Sequence, residues 1–149
     1  MIRIVVTRTP IDLTAEVAHV ELPGAGGVAS FTGLVRADDG VAVLELEHYP
    51  GATEAALTAL AQEACARWTL LAASIVHRVG PMAPGDRVVF VGTAAAHRAP
   101  ALAACAFLID RLKTDAPFWK REVTGDGEAR WVEPRASDDG AAARWDASA

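Results

Sequence analysis

The sequence predicts an α+β domain, with two long helices packed on a mostly antiparallel sheet. Three observations lead there. Strands and helices follow one another irregularly, without the strict βαβαβ alternation of a parallel fold. Two long stretches carry apolar residues at i, i+3 and i+4 spacing, the signature of amphipathic helices. Several short β-branched runs end at Gly, Pro or Asp turn signals. The 149 residues suit one domain, and 52% apolar with 22% charged residues is ordinary globular usage.

Residues 2–7 (IRIVVT) form a first strand, because β-branched residues fit a pleated surface. Thr9-Pro10-Ile11-Asp12 opens a short helical turn to about His19. Gly24, Gly26 and Gly27 make a loop without the spacing of a phosphate cradle. Residues 28–36 form a strand, with Gly33 marking a bulge or a close approach. Asp38-Asp39-Gly40 turns the chain into a strand over 41–49, where Leu44 and Leu46 alternate with Glu45 and Glu47.

Pro50-Gly51 ends that strand, and a helix is expected over 53–68 with Thr53 as its N-cap. Strands at 74–79 and 86–94 flank a Pro84-Gly85 turn, and the second is apolar on both faces, hence central. A second helix starts near Pro100, and Pro117 limits it. Short strands at 118–123 and 131–133 surround Gly125-Asp126-Gly127. The domain is expected to span 1–135, with 136–149 a mobile tail rich in Ala, Asp and Ser. Trp68, Trp131 and Trp145 are expected to supply packing area.

Net charge of −5 disfavours sequence-independent binding to duplex DNA or anionic membrane, which needs a broad basic surface. No stretch approaches the roughly 20 apolar residues of a membrane span. Arg3 and Arg8 interrupt any signal-peptide core, so the expected compartment is cytoplasmic. Cys65 and Cys105 stand alone in Ala-rich segments, without metal-ligand spacing, and read as small buried hydrophobes. His19, His48 and His77 show no metal spacing and read as structural or surface residues.

Any anion site must therefore be a local cationic cluster. The chain has twelve Arg and only two Lys, and both lysines, Lys113 and Lys120, fall in one short segment. Lysine can lose its proton when desolvated and arginine effectively cannot, so the pair points to a site that needs an ammonium. Phe118 and Trp119 beside Lys120 would aid desolvation. His97-Arg98 sits just before the second helix, where unpaired N–H groups and the dipole favour an anion. Arg36 ends a strand beside a loop, a frequent place for functional residues. From the residues alone, the chain is an α+β domain with an Arg/His/Lys pocket for a phosphorylated small molecule.

These motifs also resemble a known family. They are Phe31-Thr32-Gly33-x-Val35-Arg36, Leu46-Glu47-His48-Tyr49-Pro50-Gly51 and His77-Arg78-Val79-Gly80. Next come Gly85-Asp86-x-Val88-x-Phe90-Val91, Ala96-His97-Arg98 and Asp110-x-Leu112-Lys113. The series ends with Ala116-Pro117-Phe118-Trp119-Lys120-Arg121-Glu122 and Arg130-Trp131-Val132-Glu133. In this order and spacing the chain, over roughly residues 3 to 135, is similar to the large, catalytic subunit of molybdopterin synthase.

The resemblance implies an α/β hammerhead fold and a central homodimer within a heterotetramer. It implies a small ubiquitin-like sulfur-carrier subunit as partner, its C-terminal Gly-Gly activated as a thiocarboxylate. The implied reaction moves sulfur from that carrier to cyclic pyranopterin monophosphate, forming the molybdopterin dithiolene with no metal or organic cofactor. By motif, Lys120 is implied as the principal catalytic residue, with Lys113 assisting and holding substrate. Arg36, His97 and Arg98 are implied as binders of phosphate and pterin, with Arg121 and Glu122 flanking Lys120. Phe31 would shape the pocket, and Arg135 would be contributed across the dimer. Leu34 stands where relatives often carry Lys, and the 38–40 turn is short for the family. The competing reading is a non-catalytic module that binds a phosphorylated ligand or a ubiquitin-like partner.

Overall fold

A computed structural model of the chain describes residues 1–37, 40–132 and 136–146. The strands are β1 (Ile2–Thr7), β2 (Gly27–Leu34), β3 (Val41–His48), β4 (Ala72–Arg78), β5 (Gly80–Met82), β6 (Arg87–Ala95), β7 (Phe118–Thr124) and β8 (Ala129–Trp131). The helices are α1 (Leu13–Val20), α2 (Ala52–Trp68), α3 (Arg98–Asp115) and α4 (Ala136–Ala143).

The expected single sheet is two sheets of four strands, ordered β1-β4-β6-β2 and β5-β3-β7-β8. All pairings are antiparallel except β1 with β4. β6 lies inside its sheet, as its two apolar faces require, and Phe90 and Val91 are fully buried. The register of β2 shifts between Gly33 and Leu34, the irregularity its glycine suggested. β5 (Gly80-Pro81-Met82) lies outside the expected strands, because Gly and Pro are poor strand formers. It pairs only with β3, at an edge, where a proline's missing N–H costs no ladder bond.

α2 and α3 cover the first sheet. α2 buries Leu57, Leu60, Ala61 and Ala64, one face of a 3.6-residue period. α3 buries Ala101, Ala104, Cys105, Leu108 and Leu112 on the same principle, with Phe107 fully enclosed. Together with Ile75, Val89 and Val91 these side chains form the main core. A second cluster of Val35, Leu44, Leu46 and Met82, with Val88 against it, ties the second sheet to the first.

Thr53 is not the N-cap of α2. Gly51 holds that position at φ +87°, a conformation that a side chain would strain, and its N–H donates to Glu54 Oε1 at 3.1 Å. Thr53 lies inside the first turn and is fully buried.

The segment expected as a mobile tail contains α4, which packs on α3. Beyond it, the Trp145 ring meets Trp68 and Phe107 edge-on, each at 5.7 Å, and its Nε1 donates to Asp110 at 2.8 Å. The Ala-, Asp- and Ser-rich composition concealed this anchor, since a single tryptophan carries its aromatic contacts. Trp68 and Trp145 thus pack as expected, whereas Trp131 is 63% exposed and meets the Trp119 ring at 4.7 Å.

Candidate functional site

Lys113 occupies the last turn of α3, where the helix dipole favours a cation. Ala116 and Pro117 then end the helix, and the chain enters β7, which carries Lys120 opposite Leu46. Residues directly opposed in a sheet share a face. Lys120 therefore shares the face of Leu46 and, two residues either way along β7, of Phe118 and Glu122. Both lysines are exposed at their side chains.

Behind them stands His77, at the end of β4 and 6% exposed. Its ring stacks on Phe118, with centroids 4.0 Å apart and planes 26° apart. Its Nδ1 lies 3.0 Å from the Arg78 carbonyl oxygen, which can only accept, so Nδ1 carries the proton. Burial lowers the imidazole from 6.5 to about 4, against the raising effect of that carbonyl, and nearby Lys113 and His48 lower it further. His77 is therefore neutral at pH 7. His48, opposite Phe118, places Nε2 3.8 Å from Glu54 Oε2 and buries an Nδ1 that has no hydrogen-bond partner.

Arg36 lies two residues beyond β2, next to Val35, which packs with Leu44 and Leu46 on the face that Lys120 shares. Arg36, Lys113, Lys120 and His77 thus gather at one end of the molecule. Phe31 sits in mid-β2 opposite Val91 and is 40% exposed. Leu34 is exposed in the same strand.

His97 and Arg98 do not join them within one chain. They begin α3 and Lys113 ends it, and 15 residues at about 1.5 Å per residue separate Arg98 from Lys113 by roughly 22 Å. The expectation of one pocket holding all five cations is corrected accordingly: the helix is too long. His97 caps α3 with extended backbone and makes no side-chain capping bond, and both residues are exposed. The Gly26-Gly27 loop presses on this helix start. A Cβ on Gly26 would lie 2.1 Å from the Ala96 carbonyl oxygen, and one on Gly27 would lie 3.0 Å from Arg98 Cα.

Arg121 and Glu122 divide between the faces of β7. Arg121 points away from Lys120 and pairs with Glu45 at 3.2 Å, alongside Trp119 and Trp131. Glu122 stays on the Lys120 face and takes Arg130 at 3.0 Å. Arg135 lies outside the described residues, as do Asp38, Asp39 and Glu133. Both cysteines are free; burial pushes the Cys105 thiol up to about 11 and raises Cys65, consistent with inert packing.

Sequence reasoning missed His77 and Thr53 as parts of this end of the molecule. The signal available was weak: a histidine directly after the apolar pair Ile75-Val76 in the strand SIVHRV.

The arrangement offers ammonium and guanidinium groups around a half-buried aromatic, suited to anions that must be partly desolvated. Comparison with known proteins gives this a family. The MoaE protein family model matches residues 6–115. A molybdopterin synthase catalytic subunit from Yersinia pestis is 55% identical over 123 residues, covering 80% of this chain and 81% of its own. The solved molybdopterin biosynthesis MoaE protein from Burkholderia ambifaria MC40-6 superposes with a TM-score of 0.85 at 50% identity, over 99% of this chain and 100% of that one. A protein–protein complex of subunits 1 and 2 of molybdopterin-converting factor from Helicobacter pylori 26695 shares the fold, with a TM-score of 0.74 at 19% identity over 90% and 91% of the chains. The chain belongs to the MoaE family of molybdopterin synthase catalytic subunits.

Proposed function

We propose that this chain transfers sulfur from a thiocarboxylated, ubiquitin-like carrier subunit to cyclic pyranopterin monophosphate, forming the molybdopterin dithiolene. The observation that carries the reading is the placement of Lys113, Lys120 and Arg36 at one end of the fold, in a chain 55% identical to a catalytic subunit. Thiocarboxylate and cyclic phosphate are both anions. Once the sulfur has bonded to the pterin, water adds to the carrier's thioester carbonyl. Negative charge grows on that oxygen before the carbon–sulfur bond breaks, leaving sulfur on the pterin and a carboxylate on the carrier. An ammonium beside that oxygen stabilises it, and Lys120 is the group for this role. Lys113 holds the substrate and balances its charge. Arg36 binds phosphate, for which a guanidinium fork is well shaped. Phe31 borders this end along β2.

The carrier is the expected partner, in line with the two-subunit complex reported for the Helicobacter pylori relative. A homodimer is expected as well. His97 and Arg98 lie roughly 22 Å from Lys113 along their own helix. They bind the same substrate only if a second copy brings them to it. Arg135 is proposed to act across that same interface. No described helix is long and apolar enough to cross a membrane, and a cytoplasmic location fits this biosynthetic step.

The test is reconstitution. The chain is mixed with thiocarboxylated carrier and cyclic pterin monophosphate, and dithiolene product is assayed. Lys120→Ala should lose at least about a hundredfold in rate with an unchanged Tm, because the side chain is exposed. Full activity in that variant would remove Lys120 from the chemistry. Binding of carrier and pterin with no wild-type product would favour the non-catalytic module instead.

A further inference from the structure

We propose that Thr53 and His77 are positioning residues: a buried two-point clamp on Pro117 and Phe118 that sets the distance between Lys113 and Lys120. The inference rests on the sulfur-transfer reading for its purpose, but its geometry stands apart from it.

The two lysines belong to different elements, one to the end of α3 and one to β7, so their separation depends on the connection between them. That connection contains Pro117, which has no N–H with which to anchor itself. Its carbonyl is the available handle. Thr53, fully buried in α2, donates its hydroxyl proton to the Pro117 oxygen at 2.7 Å. The same hydroxyl oxygen accepts the Tyr49 N–H at 2.9 Å, so the side chain is fixed from both sides. One residue on, Phe118 stacks on His77, whose own ring is fixed by the Arg78 carbonyl. Residue 117 is thus tied to α2 and residue 118 to β4, and both ties end on buried groups.

Neither tie is needed for the elements themselves. α2 is capped by Gly51 and Glu54 without the Thr53 hydroxyl, and the backbone ladder of β7 runs to β3 and β8. A valine at 53 would keep the side-chain shape and leave the Pro117 carbonyl and the Tyr49 N–H without the hydroxyl, so the hydroxyl serves the connection. Two ammoniums acting on one bound anion must hold their geometry closely, since about 1 Å of misplacement can cost on the order of a hundredfold in rate.

The experiment uses the full chain, with its carrier for the kinetic arm, and compares Thr53→Val, Thr53→Ser and Phe118→Leu. The last acts at a half-buried position and serves if Thr53→Val does not fold. Thr53→Val and Phe118→Leu should lower kcat about ten- to a hundredfold with little change in KM for the pterin. Thr53→Ser, which keeps the hydroxyl, should restore most of it. A second readout needs no turnover. Lys113 and Lys120 are the only lysines in the chain. The rate of intrachain linkage between them by a short amine-reactive cross-linker, read by mass spectrometry, therefore reports their separation. That rate should fall about tenfold in Thr53→Val and hold in Thr53→Ser. Unchanged linkage in both Thr53→Val and Phe118→Leu would overturn the clamp whatever the turnover. So would a failure of Thr53→Ser to rescue. If wild type makes no dithiolene but linkage responds as expected, the clamp stands and the sulfur-transfer reading fails.

Discussion

Acidification should destabilise this protein through one residue. His77 is 6% exposed, and its imidazole falls from 6.5 to about 4, chiefly because burial disfavours the charged ring. Between those two values the unfolded chain binds a proton at residue 77 that the folded chain refuses. Stability therefore falls as pH falls below 6.5, and the loss is complete below about 4. At about 1.4 kcal/mol per pH unit the full penalty is about 3 kcal/mol, of which about 2 kcal/mol has appeared by pH 5. His77→Phe removes the titrating group and retains a ring against Phe118. Denaturant unfolding of both proteins at pH 7 and pH 5 gives two losses, and the wild type should lose about 2 kcal/mol more. Equal losses would refute the reasoning. They would mean that residue 77 takes up its proton in the folded state, through an opening of the His77–Phe118 stack.

Two further predictions concern packing. Trp145→Ala removes a ring wedged between Trp68 and Phe107 and a hydrogen bond to Asp110, and should cost about 2 kcal/mol, or a Tm drop of about 6 °C. An unchanged melting curve would show that α4 and its tryptophan contribute nothing to the fold. Gly26→Ala places a Cβ 2.1 Å from the Ala96 carbonyl oxygen, so the start of α3 must shift. Pterin binding should weaken about tenfold while the exposed Lys113 and Lys120 react with amine reagents at wild-type rates. Unaltered binding would remove His97 and Arg98 from the substrate site.

Much of the architecture was legible because its signals are local. Periodicity marked α2 and α3, and β-branched runs marked β1, β4 and β6. The α+β class followed from their irregular order. What escaped was decided by distant contacts. β5 is a three-residue strand whose glycine and proline give no strand signal, and it exists because β3 offers an edge. α4 has weak local signals and is held by Trp145 against residues far away in the chain. Thr53 had the right type for a cap, but Gly51 could adopt the positive φ required where the chain leaves β3. That freed the threonine hydroxyl for Pro117, 64 positions later in sequence.

The same distinction governs the candidate site. Lys113 and Lys120 stand close in sequence, and a single turn was enough to predict that they face one region. His97-Arg98 also stood near Lys113 in sequence, closer than Arg36 does, yet the fold reverses that order. α3 is 18 residues long, so it carries its two ends to opposite sides of the domain. β2 runs antiparallel to β6 and returns Arg36 to the lysine end. Sequence distance therefore ranks these cations wrongly for a single chain. The far pair matters to the same reaction only if an interface closes the roughly 22 Å gap set by the helix rise. Mixing Arg98→Ala chains with Lys120→Ala chains separates the cases. Each variant alone carries the same defect at every site. In a mixed dimer with sites shared between copies, one site regains both Arg98 and Lys120 while the other lacks both. Activity should then return to about a quarter of the wild-type rate, because half the chains pair as hybrids and each hybrid has one intact site of two. If instead each chain builds its site alone, no mixture can unite the two residues, and activity stays at the level of the separate variants.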